Sequence, residues 1–324
     1  MSNVKIFRDT IHGYIEIEKD IVNSIIDTAL FQRLRRIEQT SMRCLYPAAR
    51  HDRFIHSIGT FHLAKKISTN LSQKFKELTS GKFIFDKEYF SKLQFNLELA
   101  ALLHDVGHSP FSHTLEDYFK LEKRDGEVKI NKQLKEALSK CVDNDVYVKF
   151  CENFANAHPS PHEIISAIIS ITEFKDAIQK LCEARSIDAD YDFIIRAITG
   201  TMHDDIDKAL DNCFIRLLNS SAIDVDKLDY ITRDSEISGY DNVKVDTERL
   251  ITSITPWYFT NDKGNEQLVL VYDKTALSVI QNVVTCRNAL YTWIYSHHKV
   301  QYETFLISNA IKEIAKQENP GNPN

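Results

Sequence analysis

The hydrophobic positions of this chain recur mostly at helical intervals. The first such run starts at Lys19 and contains Val22, Ile25, Ile26, Leu30 and Leu34. Steps of three and four residues are typical of an amphipathic helix, and Asp27-Thr28 suits a helix N-cap within this run. Similar patterning predicts helices over residues 54–76, 86–104, 161–184, 190–201, 206–219, 222–236 and about 274–317.

Short stretches of alternating polarity interrupt this helical pattern. Residues 4–17 alternate around a His-Gly turn, and residues 252–260 and 266–272 flank the sequence NDKGN. Both arrangements predict β-hairpins. The polar segment 121–160, with a turn at Asp125-Gly126, is predicted to be a surface insertion.

These elements predict a mainly α fold in one domain, residues 1–324. An N-terminal hairpin (1–17) precedes a helical core (18–240), and a second hairpin with C-terminal helices (241–324) completes the domain. The 9 glycines and 7 prolines are too few for a sandwich of many short strands.

The charge and composition of the chain limit which classes of partner it is expected to bind and where in the cell it is expected to reside. The net charge of -6 argues against nucleic acid as a general partner, because phosphate backbones are bound by an excess of Lys and Arg. No apolar run approaches 18 residues, and the N-terminus lacks a signal peptide, so no membrane association is expected. The six cysteines show no C-x-x-C spacing and are interpreted as reduced thiols. Together these features predict a cytoplasmic protein.

Histidine carries the clearest chemical signal. Of the twelve, three lie in HDVGHSPFSH, namely His104, His108 and His113, and Asp105 follows His104 directly. Neighbouring side chains on a helix point about 100° apart, so a His-Asp pair can bind one ion only at a helix end or kink. Imidazole and carboxylate ligands suit Fe, Mn, Zn or Ni. A His-Asp dipeptide alone is also common by chance.

A second chemical group lies in SAIDVDKLDYITRD. Asp226, Tyr230 and Asp234 are spaced at i, i+4 and i+8 and therefore share one helix face. Lys227 and Arg233 flank that face and add cations. The group suits a phosphate ester beside a metal ion, although a solvated acidic helix would show the same spacing.

Taken together, these stretches resemble a known family. The motif H…HD…D, here His56, His104-Asp105 and Asp226, is the signature of HD-domain phosphohydrolases. The chain is similar to the SAM-and-HD-domain deoxynucleoside triphosphate (dNTP) triphosphohydrolases and their bacterial dGTPase-like relatives. The matching stretches, in family order over residues 4–300, are DTIHGYIEI, IIDTALFQRLRRIEQ, LYPAARHDRFIHSIGT, LLHDVGHSPFSH, IDVDKLDYITRD and CRNALYTWIYSHHK.

The resemblance implies a role for each part of a dNTP site. One divalent transition metal would be held by His56, His104, Asp105 and Asp226, with Mg²⁺ accompanying the substrate triphosphate. The triphosphate contacts would be Arg53, Lys227, Tyr230 and Arg287. The scissile phosphate would be surrounded by His108, His113 and His162, with His113 as the acid for the leaving 5′ oxygen. The sugar would be held by Gln39 and Asp234 at its 3′-hydroxyl and by Tyr295 beneath the ring.

Regulation and assembly are implied by the same resemblance. The positions that bind a guanine-nucleotide activator between subunits of regulated relatives correspond here to Lys5, Asp27, Gln32 and Arg35, which implies a homo-oligomer. Gln32 and Arg35 would equally suit the polar face of a core helix.

Three features depart from the family pattern. Thr40 replaces a bulky aliphatic residue beside Gln39, so we expect weaker selection for deoxyribose. Glu116 replaces a shorter aspartate behind the histidines. The family's further C-terminal lobe has no counterpart in this sequence, so we expect its contacts to be missing.

The predicted function is metal-dependent cleavage of dNTP to deoxynucleoside and triphosphate. An HD-domain nuclease or nucleotide monophosphatase would use the same metal ligands and is the first alternative. A catalytically silent nucleotide sensor or scaffold is the second, and it predicts broken metal or proton-transfer residues. None of these residues is broken in this sequence.

Overall fold

A computed structural model of the chain describes residues 3–78, 85–121, 123–124, 126–220, 222–240, 244–260 and 266–318. Within these ranges the fold is mainly helical, as predicted. The longer helices are α3 (Arg53–Glu77), α4 (Lys87–Leu103), α6 (Lys129–Leu138), α7 (Asn144–Phe154), α8 (Pro161–Thr172), α11 (Ala209–Leu218), α12 (Val225–Ser238), α14 (Leu277–Leu290) and α15 (His298–Glu318). The shorter helices are α1 (Lys19–Ile21), α2 (Ala29–Gln32), α5 (Glu116–Leu121), α9 (Lys175–Glu183), α10 (Tyr191–Thr199) and α13 (Thr247–Ser253).

The strands of the described residues form three antiparallel hairpins. They are β1 (Val4–Asp9) with β2 (Gly13–Glu18), β3 (Lys123–Arg124) with β4 (Glu127–Val128), and β5 (Ile254–Thr260) with β6 (Glu266–Tyr272). The first and last hairpins were predicted from the alternating pattern, and both are confirmed. The predicted turn residues 261–265 and Asp125 lie outside the described residues.

The core surrounds the two long helices α3 and α4. These helices pack against each other, α12 packs on α3, and α10 packs on α4 and α8. The side chains of Phe61, Leu71, Leu99 and Leu102 are fully buried between these elements. This arrangement places the start of α3, the end of α4 and the start of α12 within one contiguous core.

Helix starts are set by side chains that accept hydrogen bonds from free backbone N–H groups. Asp52 accepts from Ile55 at the start of α3, and Asp224 accepts from Lys227 at the start of α12. Ser160 and Glu163 form a capping box at the start of α8. These local signals determine which residues occupy the first turn of each helix, where much of the candidate site lies.

Two details of the predicted pattern were wrong. The segment 121–160 is more than a surface insertion, since α6 and α7 bury Leu134, Leu138 and Phe150 in the core. The predicted helix over 161–184 is divided into α8 and α9 near Phe174. Within the described residues, none of the helices combines the length and apolar character that a bilayer-spanning helix requires.

Candidate functional site

The four predicted metal ligands converge in the interior. His56 Nε2 lies 3.0 Å from Asp226 Oδ1 and 3.2 Å from His104 Nε2. Asp105 Oδ2 lies 3.6 Å from His56 Nε2, and Asp105 Oδ1 lies 3.6 Å from His104 Nε2. Two imidazole nitrogens and two carboxylates therefore face a common point.

Three helices supply these ligands. His56 lies in the first turn of α3, and Asp226 lies in the first turn of α12. His104 follows the last residue of α4, and Asp105 comes next as the chain leaves the helix. The His-Asp pair thus occupies a helix end, the position at which adjacent side chains can bind one ion.

The electrostatics of this cluster favour a bound cation. Burial acts to lower the pKa of His56, yet the carboxylates of Asp226 and Asp229 raise it to about 10. Burial acts to raise the pKa of Asp105, yet Arg53 and His104 hold it well below its usual range. The mixed nitrogen and oxygen donors fit a divalent transition metal, which the four residues would hold.

A cluster of histidines lies next to the predicted ligands. The rings of His108 and His162 are stacked with centroids 4.0 Å apart, and His113 lies edge-on to both at 4.9 and 5.2 Å. His108 is buried, and burial together with nearby Arg53 holds its pKa well below the usual range, so it is neutral. The three predicted histidines are therefore brought together.

Glu116 connects two of these histidines. Its Oε1 lies 2.8 Å from His113 Nδ1 and 2.5 Å from His162 Nδ1. Burial acts to raise the pKa of Glu116, but its bonds to His113 and His162 lower it, so the group is an acceptor-only carboxylate. It fixes the ring protons at Nδ1, and His113 Nε2 is left facing Arg53 Nη2 at 3.3 Å.

Gly107 permits the approach of α8 to this cluster. A Cβ at Gly107 would lie 2.3 Å from the backbone nitrogen of Ser166. The Gly107 N–H instead donates to Ser166 Oγ at 2.8 Å. Because α8 can pack this closely, its first turn places His162 against His108.

A cleft of about 530 Å³ opens onto both clusters. All of the predicted substrate contacts line it, namely Gln39, Arg53, Lys227, Tyr230, Asp234, Arg287 and Tyr295. Its buried polar lining includes Gln39 Oε1, Thr40 Oγ1 and Arg287 Nε, which have no hydrogen-bond partner. Such atoms fit a polar ligand that would satisfy them.

Asp234 occupies the centre of a network that the sequence analysis did not identify. Tyr295 donates its hydroxyl to Asp234 Oδ2 at 2.5 Å, and His51 Nε2 lies 2.6 Å from Asp234 Oδ1. The role of His51 was missed, although its position two residues before Arg53 in HDRFIH was an available signal.

The two cations beside Asp226 differ in their surroundings. Lys227 lines the cleft, and its Nζ donates to Asp224 Oδ2 at 2.7 Å and to the carbonyl of Ser220 at 2.9 Å. Arg233 is fully buried and pairs with Asp229 and Asp9. The interpretation of Arg233 as a cation near phosphate was therefore wrong, because its guanidinium faces the core.

The four residues matched to an activator position lie outside the cleft. Lys5 pairs with Asp27 at 3.2 Å, and both side chains are largely exposed. Arg35 donates to Gln32 Oε1 at 2.9 Å and lies 3.5 Å over the ring of Phe54. The structure places them as two polar pairs at the surface, near the N-terminal hairpin.

Comparison with known proteins finds relatives that align with nearly the whole chain. An uncharacterized protein of Methanocaldococcus jannaschii is 29% identical over 317 residues, which cover 97% of this chain and 51% of that protein. The deoxynucleoside triphosphate triphosphohydrolase SAMHD1 of Gallus gallus is 27% identical over 314 residues, covering 96% and 45%. A SAMHD1 homolog of Dictyostelium discoideum is 27% identical over 310 residues, covering 95% and 49%. The chain spans about half the length of these relatives.

The profile of the HD domain matches residues 53–234. This range begins in the first turn of α3 and ends within α12, so it contains all four predicted metal ligands and the histidine cluster. It covers more than half of the chain. The chain therefore belongs to the HD-domain family of phosphohydrolases.

Proposed function

We propose that this protein is a metal-dependent dNTP triphosphohydrolase that releases deoxynucleoside and intact triphosphate. The observation that carries the proposal is one cleft that is lined by two of the predicted metal ligands, Asp105 and Asp226, by His113 and His162 of the histidine cluster, and by all of the predicted substrate contacts. Relatives named as dNTP triphosphohydrolases, aligned over nearly the whole chain, support it.

The charges of the cleft favour a triphosphate over a monophosphate. Arg53, Lys227 and Arg287 line it and would neutralise several of the negative charges on a triphosphate. A monophosphate needs fewer cations. A nuclease needs a basic track along a strand, and the net charge of -6 argues against one.

The proposed reaction needs both a metal centre and a proton donor. A divalent transition metal at His56, His104, Asp105 and Asp226 would supply Lewis acidity and an activated water nucleophile. Breaking the bond between the alpha-phosphorus and the 5′ oxygen leaves an alkoxide, which needs a proton. The doubly protonated ring of His113, held at Nδ1 by Glu116, would deliver that proton from Nε2 and be left neutral with its remaining proton on Nδ1. Such assistance contributes on the order of a hundred- to ten-thousand-fold in rate.

The rest of the cleft would select the sugar. Gln39 and Asp234 would hold the 3′-hydroxyl, and Tyr295 would lie beneath the ring. The contact between Tyr295 and Asp234 supports this, because it holds the phenol beside the carboxylate that would bind the hydroxyl.

Activation by a guanine nucleotide is a further part of the proposal. Lys5, Asp27, Gln32 and Arg35 are the candidate contacts; Lys5, Asp27 and Arg35 are exposed, and Gln32 is half-buried beside Arg35. Adding GTP to a dNTP assay should raise the rate, and equal rates with and without GTP would argue against activation.

The deciding experiment is a product assay. The metal-loaded protein is incubated with Mg²⁺ and each dNTP and NTP, singly and mixed, and the products are separated by anion exchange. Nucleoside plus triphosphate supports the proposal, whereas release of orthophosphate favours a phosphatase. Cut strands in a parallel incubation with single-stranded DNA favour a nuclease. Binding without turnover favours the sensor.

Metal analysis tests the ligand assignment in the same preparations. We expect about one transition-metal ion per chain, and loss of both metal and activity in Asp226→Ala, because removing one of four ligands opens the site. His158→Ala, at an exposed histidine, is the matched control and should retain both. Full metal retention in Asp226→Ala and His56→Ala would contradict the assignment.

A further inference from the structure

Asp229 lies directly behind the candidate metal ligand His56. Its Oδ2 is 2.7 Å from His56 Nδ1, and both side chains are fully buried. A carboxylate can only accept, so His56 carries its proton on Nδ1. Nε2 faces Asp226 and His104, so a metal that displaces the proton on Nε2 would bind there.

Asp229 is itself held in place from two sides. Arg233 donates from Nε to Oδ2 and from Nη2 to Oδ1, both at 2.8 Å. His12 Nε2 lies 2.7 Å from the same Oδ1. Each carboxylate oxygen therefore has two partners, which holds the plane of the carboxylate and the direction in which it meets His56.

The network continues into the N-terminal hairpin. Arg233 Nη1 donates to Asp9 Oδ2 at 2.8 Å. Asp9 Oδ1 accepts from the backbone N–H groups of Ile11 and His12, both at 2.7 Å. The turn between β1 and β2 is thus connected through buried charges to α12 and, through Asp229, to α3.

Gly59 supplies independent evidence that this network constrains the packing. It lies in the interior of α3, where a glycine is destabilising. A Cβ there would lie 1.9 Å from Asp229 Oδ1 and 2.6 Å from Arg233 Nη2. Asp229 and Arg233 therefore occupy the space that a side chain at position 59 would fill.

We propose that Asp229 is a positioning residue for the metal ligand His56, and that Arg233, His12 and the β1–β2 turn hold it there. The N-terminal hairpin is on this view a structural part of the metal centre. The physical basis is general: a carboxylate behind a ligating histidine fixes its tautomer and orientation and raises its basicity. The inference rests on the metal site of the proposed function.

Co²⁺ binding is the test. Metal-free full-length protein is titrated with Co²⁺ against a competing chelator, and the visible absorption of the bound ion is recorded. Asp229→Asn should weaken Co²⁺ binding about 10- to 100-fold and change the absorption spectrum. Gly59→Ala should also weaken Co²⁺ binding and change the spectrum, because its Cβ displaces the Asp229 side chain. This variant changes none of the metal ligands and none of the residues of the hydrogen-bond network. His12→Leu should weaken binding more than His12→Gln, which retains a donor.

Asp211→Asn is the matched control. Asp211 is a buried carboxylate paired with Lys208 and bonded to Tyr89, and it is absent from the candidate site. The Asp211→Asn variant should retain the Co²⁺ affinity and the absorption spectrum of the wild type. Thermal denaturation of the metal-free proteins separates loss of fold from loss of metal affinity, and Gly59→Ala and His12→Leu decide the outcome if Asp229→Asn does not fold.

Three results would overturn the inference. Wild-type Co²⁺ affinity and spectrum in Asp229→Asn would do so, as would wild-type behaviour of Gly59→Ala and His12→Leu. An equal loss in Asp211→Asn would show general loosening of the core instead of positioning. A wild-type protein that binds no Co²⁺ would contradict the proposed metal site itself, and this outcome is distinguishable because no variant is needed to observe it.

Discussion

Thr40 places a buried hydroxyl in the cleft beside Gln39, and this hydroxyl has no hydrogen-bond partner. A ribonucleotide differs from a deoxyribonucleotide by one hydroxyl at the 2′ position. Thr40 would accept that group where a larger aliphatic residue would exclude it. A purely apolar pocket rejects an added hydroxyl only about a hundredfold, so selection here depends on crowding.

We therefore predict that dGTP is preferred to GTP, with measurable turnover of GTP. Thr40→Leu should raise the ratio of their kcat/KM values on the order of tenfold, measured under identical conditions. Ser308→Ala, which also alters the cleft lining, is the control and should leave the ratio unchanged. An unchanged ratio in Thr40→Leu would remove Thr40 from sugar selection.

At the scale of elements, α4 buries a carboxylate that the proposed chemistry does not use. Glu98 is 5% exposed, and its partner Gln94 donates at 3.2 Å. Burial raises the pKa of Glu98 to about 7, with Lys65 opposing the rise. The folded protein therefore binds this proton more tightly than the unfolded chain does. The resulting stabilisation is present at low pH and is lost as the pH rises through about 7.

Glu98→Gln should accordingly raise the free energy of unfolding at pH 8 by about 3 kcal/mol. At pH 5 the gain should be less than about 1 kcal/mol, because Glu98 is then already neutral in the folded state. Urea denaturation of the wild type and the variant at pH 8 and at pH 5 measures these two changes in the free energy of unfolding. Glu136→Gln, at an exposed position of α6, should show neither change. An equal gain at both pH values would contradict burial of the charge as the cause.

The contact between Gly107 and α8 leads to a second prediction for an element. Gly107→Ala should displace the start of α8 and separate His162 from His108, because the added Cβ meets the Ser166 backbone. We expect kcat to fall on the order of a hundredfold or more, within the range of lost acid–base assistance. Ser166→Ala removes only the acceptor of the Gly107 N–H and should cost much less. Equal losses of kcat in Gly107→Ala and Ser166→Ala would show that the hydrogen bond matters, and not the close packing of α8 against Gly107.

At the scale of the whole molecule, the C-terminal helix exposes an apolar face. Tyr302, Phe305 and Leu306 are 62%, 58% and 48% exposed, and their spacing of three and four residues puts them on one side of α15. Exposed apolar surface of this kind is typical of an interaction site. It agrees with the homo-oligomer implied by the family resemblance.

We predict that sedimentation gives a mass above that of the 37.4 kDa monomer. Phe305→Asp should shift the protein toward monomer if α15 contributes to the contact, because it places a charge on the apolar face. Val148→Asp, at an exposed apolar position of α7, should not. A monomer with and without nucleotides would contradict both self-association and activation across subunits.

The sequence alone determined most of the long helices, with α6 and α7 as exceptions, together with the two main hairpins and the family. Apolar periodicity predicted helices from residues 54 and 86, and the structure starts α3 and α4 one residue away from each, after the N-cap residues Asp52 and Asp86. The H…HD…D motif predicted His56, His104, Asp105 and Asp226 as metal ligands through the resemblance to the family. Periodicity and capping act within a local stretch of sequence, and a motif depends only on the order of residues along the chain, so neither needs knowledge of how the helices pack.

Only the tertiary structure decided which side chains meet. Arg233 and Asp9 are separated by 224 residues, and His51 and Asp234 by 183, yet each pair forms a buried contact. The polar segment 121–160 joins the core because α6 has an apolar face that packs on α8. Helical periodicity shows that a side chain lies on a given face. It does not determine whether that face meets water, a ligand or a distant charge, because that choice depends on how the helices pack.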